Sequence, residues 1–302
     1  MTGNISDTAK IENNVAAHYG RTNLGTIILE ALAKAGADPE APTLEDLAPV
    51  DEFHTAGRIT TIKALNMMPL SSGMHVLDAG CGIGGTSRYL AGEYGCHVTG
   101  IDLTPDYIEV ARMLTERVGV SAQCEFVQGS VLDLPFKDAE FDAAVTFHVA
   151  MNIEDRARFY AELARVLKPG AALCIFDVMQ GPSPGMFYPV PWAETEMTSF
   201  LKSADETTAV LSDAGFTVTA EENLKAFAQQ FFEEAFTKAA ATGGPPPVGL
   251  HLLTGQNSPE KFSNYLKGLQ ADHIEPVIMI AKRVCQFQSN SAPVKTGAII
   301  PQ

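Results

Sequence analysis

The chain has 302 residues, 46% hydrophobic and 19% charged, which is enough to bury a full core in an ordinary globular enzyme. A formal net charge of −15 without any Lys/Arg cluster argues against a nucleic-acid partner, because phosphate binding needs a basic face. Five single cysteines (Cys81, Cys96, Cys124, Cys174, Cys285), no apolar signal core and no bilayer-length apolar run imply a soluble cytoplasmic protein with reduced thiols, without disulfides, membrane contact or a metal site.

In chain order, residues 1–14 are polar and read as frayed. From Val15 to about Ala35, after HYGRTNLG begins, Ile27, Ile28, Leu29 and Leu32 recur at helical spacing. Pro39, Pro42 and Pro49 mark a loop, and a helix follows from about Thr55 to Met68. Residues 1–70 thus read as a helical N-terminal cap.

Strands and helices then alternate. HVLDAG (75–80), HVTGID (97–102), CEFVQG (124–129), FDAAVTFH (141–148) and ALCIFDV (172–178) read as strands. Between them lie helices over Thr86–Tyr94, Asp106–Val118 behind Pro105, and Asp155–Leu167, the last ended by a Lys168-Pro169-Gly170 turn. Near-continuous apolar strands separated by helices imply a mainly parallel sheet covered on both faces. Residues 179–204 break the pattern with four prolines and interleaved aromatics. A helix (Asp205–Ala214) and a strand (Phe216–Glu221) restore it. A second insertion over about 224–272 carries two helices and a GGPPP turn before a last strand at 275–284. The tail 285–302 reads as disordered.

The chemistry concentrates in residues 75–102. Gly80-Cys81-Gly82-Ile83-Gly84-Gly85 lies where an open α/β sheet binds ligands, beyond the carboxyl ends of its strands. Glycines there let a ligand approach the backbone where a Cβ would clash. Asp102, which closes the second strand, suits the two hydroxyls of a ribose. Asp78, just before the glycines, would repel a pyrophosphate but favours the sulfonium and ammonium of S-adenosylmethionine (SAM). A helix-capping role for Asp78 is the competing reading.

VLDAGCGIGG, TGIDLT, FVQGSVLDLPF, FDAAVTFHVAMNI and RVLKPGAAL, in that order over residues 70–284, closely resemble the class I SAM-dependent methyltransferases. Within them, HYGRTNLG, APVDEFHTAGR, the MNI run and the PVPW loop are similar to the sarcosine/dimethylglycine N-methyltransferase-like group. The resemblance implies an α/β fold with a seven-stranded, mostly parallel Rossmann-like sheet, helices on both faces, a helical prefix (1–70) and lid insertions in a methyltransferase domain (71–284). It implies SAM as cofactor and a small-molecule methyl acceptor, with a nitrogen acceptor favoured.

The same resemblance implies roles for single residues. Asp78, Ala79, Gly80, Cys81 and Gly82 would carry the methionine moiety. Asp102 would hold the ribose, Leu103 would pack on the adenine, and Ser130 with Val131 would flank the ring. Position 130 is usually acidic in this family, so a serine there leaves adenine recognition weaker at that edge. Phe147 and His148 would face the methionine end. His148 is a candidate base for an oxygen acceptor, against a histidine that merely bridges backbone groups. Tyr19 would lie over the cofactor carboxylate, an exposed aromatic being the alternative. Met151 reads as packing, beside Asn152, and His54, beside Asp51 and Glu52, as a surface histidine, with a reach into the site through the cap as the alternative.

Phe187, Tyr188 and Trp192, with Tyr19, make a candidate cage for an alkylated amine by cation–π attraction, or a plain hydrophobic lid. Phe227, Phe231, Phe232 and Phe236 span much of one helix and suggest a homo-oligomer interface. Transfer to oxygen, sulfur or carbon stays open, as do a SAM-binding protein without activity and an NAD-dependent oxidoreductase. Asp78 and the lack of a Tyr-x-x-x-Lys arrangement argue against the last.

Overall fold

The computed structural model describes residues 7–284. The segment 285–302, including Cys285, lies outside the described residues, so the disorder expected of that tail has no counterpart to compare.

Four helices precede the sheet: α1 (Asp7–Tyr19), α2 (Leu24–Ala35), α3 (Leu44–Asp51) and α4 (Arg58–Asn66). Four expectations change here. Residues 7–14 do not fray; they form the first turns of α1. The helix expected from Val15 to Ala35 breaks at residues 20–23, where Asn23 adopts a left-handed conformation (φ 62°) before α2. The proline-marked loop contains α3, started by a capping box between Thr43 and Asp46. An aspartate at the third helical position, in place of the usual Glu or Gln, hid that signal. Finally, α4 begins at Arg58 because residues 52–57 form an irregular turn through Gly57 (φ 55°).

The alternating part runs β1 (His75–Ala79), α5 (Gly85–Tyr94), β2 (His97–Asp102), α6 (Pro105–Val118), β3 (Cys124–Gln128), β4 (Phe141–Phe147), α7 (Arg156–Val166), β5 (Leu167–Gln180), α8 (Ala204–Asp213) and β6 (Phe216–Asn223). It continues with α9 (Lys225–Thr242), α10 (His251–Thr254), α11 (Ser258–Gln270) and β7 (Ile274–Arg283). Lys168-Pro169-Gly170 does not separate a helix from a later strand as expected. It bulges inside one long β5, whose pairing with β4 jumps from Phe141–Leu167 to Ala143–Ala172.

The strand order is β3-β2-β1-β4-β5-β7-β6, parallel throughout except for β7, which is antiparallel to both neighbours. Strand order reverses between β1 and β4, which fixes the ligand crevice at their carboxyl ends. Because β7 runs backwards, its start at Ile274 lies beside the end of β5 at Gln180. Residues 181–203 and α9–α11 therefore both leave the sheet from the crevice side.

Alternation along β1 sends Val76 and Leu77, both fully buried, to opposite faces. Leu77 joins Phe159, Leu163 and Leu211 beneath α7 and α8. Val76 joins Leu65, Leu90 and Phe176 beneath α4 and α5. A third cluster seats the prefix on the sheet domain, with Ile28 and Leu32 of α2 and Val50 of α3 against Tyr107 and Leu114 of α6. Arg88 of α5, fully buried, pins the prefix by donating to Asp51 (2.5 Å) and to Thr115 Oγ1 (3.1 Å). On α9, Phe232 is buried and Phe231 and Phe236 are half-buried, beside Tyr265 and Phe262 of α11. Phe227 stays 38% exposed. Among the described residues no helix is long and apolar enough to cross a membrane.

Candidate active site

One cavity opens at the switch point, and the glycine turn forms its floor. Gly80 and Gly82 have φ of +84° and +52°, and Gly80 approaches Val149 so closely that a Cβ would lie 2.2 Å from Val149 Cγ2. At Gly82 a Cβ would meet nothing within 4 Å and would project into open space. Such a residue leaves room for a ligand against bare backbone.

The two aspartates stand on either side of this turn. Asp102 accepts from Gly82 N–H and Thr104 N–H, both at 2.9 Å, so the end of β2 and the turn are fixed to each other. Burial raises its carboxyl above the ordinary range, against these hydrogen bonds. Asp78 is 2% exposed and accepts from Ser87 Oγ at 2.6 Å. Burial lifts it to about 7. Asp78 thus has the helix-side hydrogen bond of the competing reading and also faces the cavity. A cation beside this buried carboxyl would favour its ionised form.

Gly80, Cys81, Gly82, Asp102, Leu103, Ser130, Val131, Phe147 and His148 all line the cavity with Asp78. Ala79 does not; it is fully buried in the core beneath β1, as the alternation of the strand requires. The hydroxyl of Ser130 accepts from Leu132 N–H (3.0 Å) and donates to Glu12 of α1.

At the other end, β4 finishes in a strained turn. His148 has φ 55°, a conformation that costs a non-glycine residue about 1–3 kcal/mol. Asp177, buried near the end of β5, holds the turn by accepting from Val149 N–H (2.8 Å) and Ala150 N–H (3.2 Å). Burial raises Asp177 to about 7. The turn directs the His148 ring toward Thr55, whose N–H donates to Nε2 at 3.4 Å. That bond leaves the ring proton on Nδ1. Burial, with His54 alongside, holds His148 well below its ordinary 6.5, so the imidazole is neutral. Thr55 Oγ1 also pairs with Tyr265 Oη at 2.6 Å.

His54 is 6% exposed and lines the cavity, which corrects its reading as a surface histidine. It is fixed by Glu52 (3.0 Å), which also accepts from Arg58 Nε (2.7 Å) and Thr61 Oγ1 (2.7 Å). Burial alone would raise the Glu52 carboxyl, but hydrogen bonds and charge from His54 and Arg58 hold it at about 2.

Tyr19 is half-buried in the cavity wall, not exposed, and its hydroxyl donates to Asn152 Oδ1 at 2.8 Å. Asn152 Nδ2 donates to Trp192 O (2.9 Å) and Thr198 O (2.8 Å), so one side chain joins α1, the β4 turn and the 181–203 segment. Met151 packs in the same cluster as Trp192 and also lines the cavity. The proposed aromatic cage needs a different membership. Trp192 and Tyr19 line the cavity, whereas Phe187 pairs with His273 outside it and Tyr188 packs behind it. Phe53, Phe232, Phe262 and Tyr265 take their places in the lining. Sequence spacing gave no sign of them, since they come from the 52–57 turn, α9 and α11.

An open α/β sheet with a glycine turn between two carboxylates at its switch point defines a nucleoside-cofactor protein built for a cationic group. The sequence pattern of the methyltransferase-domain family matches residues 77–175. An O-methyltransferase of Pyrenophora dematioidea is 32% identical over 209 residues, covering 68% of this chain and 76% of that one. A norajmaline N-methyltransferase of Rauvolfia serpentina is 35% identical over 109 residues, 36% of this chain and 37% of that one. Geranyl diphosphate C-methyltransferase of Streptomyces coelicolor A3(2) superimposes with a TM-score of 0.68 at 14% identity, over 92% of this chain and all of that one, a likeness of fold.

The chain belongs to the class I SAM-dependent methyltransferases. It is a small-molecule methyltransferase with S-adenosylmethionine as its cofactor. Its similar proteins are named for transfer to oxygen, nitrogen and carbon, so family membership leaves the acceptor atom open.

Proposed function

We propose that the enzyme methylates the nitrogen of a small amine with an apolar body. The observation that carries this is the charge of the lining. Among the described residues that line the cavity, Glu12, Asp51, Asp78, Asp102, Glu154 and Asp155 are acidic, and none is Lys or Arg. Glu12, Asp78 and Asp102 lie at the cofactor end and Asp51 is paired with Arg88, so the acceptor end offers an apolar wall on which a carboxylate or phosphate finds no cationic partner. That argues for amines without a carboxylate over sarcosine or dimethylglycine.

SAM supplies a methyl group on a sulfonium, already activated for in-line displacement. Asp102 would accept the ribose hydroxyls with the lone pairs that Gly82 and Thr104 leave, since a carboxylate takes about four hydrogen bonds. Asp78 would pair with the ammonium of the methionine moiety, and the bare backbone at Gly80–Gly82 would admit it. The prefix 7–66 and the segments 181–203 and 225–270 would roof the crevice. Their aromatic side chains exclude water and align the acceptor lone pair, while an amine needs only to have lost its own proton.

Transfer to oxygen is the second reading, favoured by one observation. His148 is neutral and lines the cavity, and it would act as base for a phenolic or alcoholic proton once the acceptor hydroxyl replaced the Thr55 N–H at its Nε2.

The test is a screen of apolar amines, phenols, sarcosine and dimethylglycine with methyl-labelled SAM, with the product read by mass spectrometry. N-methylation of apolar amines is expected, and turnover confined to phenols or to the two amino acids would overturn the amine reading. His148→Asn, a residue that tolerates the left-handed backbone, separates the mechanisms. An amine acceptor should lose less than about tenfold in kcat, an oxygen acceptor about 10²–10⁴-fold.

A further inference from the structure

Position 130 lacks the acidic side chain that would accept a hydrogen bond from the cofactor's adenine amino group, yet the site is not without one. The order β3-β2-β1 sets the direction of a ligand laid across the strand ends. With the methionine end at the glycine turn after β1 and the ribose at Asp102 after β2, the base falls beyond β3, against Gly129, Ser130 and Val131. Ser130 is already engaged there. Its hydroxyl accepts from Leu132 N–H, and its proton goes to the carboxylate of Glu12.

Glu12 reaches this point from α1, 118 residues earlier in the chain. It belongs to a stripe of Thr8, Ile11, Glu12, Val15 and Tyr19, spaced as one face of a helix, and all five line the cavity. No residue of α1 is fully buried, and Ile11 and Val15 face the cavity while Tyr19 also packs on Phe53 and Tyr107. The helix is held at three points: Glu12 on Ser130, His18 Nε2 on Pro191 O at 3.0 Å, and Tyr19 on Asn152.

We propose that Glu12, aimed by Ser130, is the acceptor for the adenine amino group, so that α1 completes the cofactor site and determines its base specificity. The carboxylate takes one hydrogen bond from Ser130 and keeps lone pairs for an N–H donor. The acidic group that related sequences carry after β3 is here supplied across the cavity by the prefix. This inference rests on the cofactor placement proposed above.

The test is calorimetric titration with S-adenosylhomocysteine and with its deaminated analogue S-inosylhomocysteine, which presents a carbonyl oxygen where adenine has its amino group. Wild type should bind the adenosyl compound at least about tenfold tighter, the effect of one charge-assisted hydrogen bond made or lost. In Glu12→Ala, which keeps helix propensity at a partly exposed position, that ratio should fall below about threefold. Ile11→Ala controls for a loosened α1: it should weaken both ligands together and leave the ratio as in wild type. A ratio unchanged by Glu12→Ala, with the adenosyl compound still bound, overturns the role of Glu12 alone. If wild type binds neither compound, the cofactor placement itself falls, and the inference with it.

Discussion

The two ends of the cavity are built in opposite ways. The end proposed for the cofactor is mainly backbone: a glycine turn and three strand ends, with two carboxylates fixed by hydrogen bonds to neighbouring residues. The end proposed for the acceptor is side chains, with Thr55, Trp192, Phe232 and Tyr265 contributed by four separate segments. Thr55 and Tyr265 touch across 210 residues of sequence. A site made of backbone can be shared by enzymes with different acceptors, because no side chain exchanged at the far end disturbs it. A site made of side chains can be altered residue by residue. The difference predicts that substitutions at one end move cofactor affinity and at the other move acceptor turnover.

The change that breaks this division most severely lies between the two ends. Arg88 emerges from the cofactor helix α5 and holds Asp51 of the prefix, with both side chains fully buried. Burial pushes the Asp51 carboxyl up to about 6, against the pull of the guanidinium. Arg88→Met leaves that carboxylate without its partner and should cost about 3–5 kcal/mol, read by urea denaturation. A loss below 1 kcal/mol would mean that the prefix docks without this pair. Next comes Asp102→Ala. It should weaken S-adenosylhomocysteine about 10- to 100-fold by calorimetry, the value of lost charge-assisted bonds, and leave acceptor KM at saturating SAM within twofold. Equal losses at both ends would erase the distinction.

The same contrast explains what could be read from the chain. Asp78, Gly80, Gly82 and Asp102 sit within 25 consecutive residues, so their spacing alone implies strand, turn, helix and strand. The sheet was legible for the same reason: most strands are short apolar runs between turn signals, the long β5 and the alternating β6 being the exceptions. The antiparallel pairing of β7 is not written in EPVIMIAKRV, which would read identically in either direction. His54 looked like a surface residue because its neighbours Asp51 and Glu52 are acidic. Both of those carboxylates are buried against arginines, Arg88 and Arg58, which lie 37 and 6 residues further along the chain. Glu12 was hidden in a polar stretch that offered no core to pack on, since its helix rests over a cavity. Trp192 was visible as a pocket aromatic. Its companions were not, because a phenylalanine facing a cavity and one facing a core have the same helical spacing.

A pH titration sharpens the cofactor end. Asp78 is raised to about 7 by burial, so below pH 7 it is mostly protonated in the free enzyme. An ammonium beside it favours the ionised form, and binding below pH 7 must release that proton. Affinity for S-adenosylhomocysteine should therefore tighten by up to about tenfold per pH unit as pH rises toward 7, and level off above it. Asp78→Asn should abolish the slope. The raised carboxyl also lowers folding stability as pH climbs from 3.8 to about 7, because the unfolded chain gives up the proton first. A slope that survives in Asp78→Asn would assign the proton to another group, with Asp177, also near 7, the next to replace.

The smallest expected effect tests the acceptor end by itself. Tyr265 Oη meets Thr55 Oγ1 at 2.6 Å, and Thr55 in turn donates its N–H to His148. Tyr265→Phe removes one hydrogen bond and no volume, so Thr55 keeps its backbone contact but loses the restraint on its hydroxyl. A bond of this kind is worth about 1 kcal/mol, or roughly fivefold. Acceptor kcat/KM should fall three- to tenfold while S-adenosylhomocysteine affinity stays within twofold, since no atom of Tyr265 reaches the glycine turn through a hydrogen bond. The aromatic wall that Tyr265 forms with Trp192, rings 6.0 Å apart and perpendicular, is kept by phenylalanine. The variant thus separates the polar Thr55–His148 line from the apolar wall. If turnover does not change, the restraint on the Thr55 hydroxyl plays no part in alignment, which then comes from the aromatic rings and from the Thr55 N–H that still holds His148.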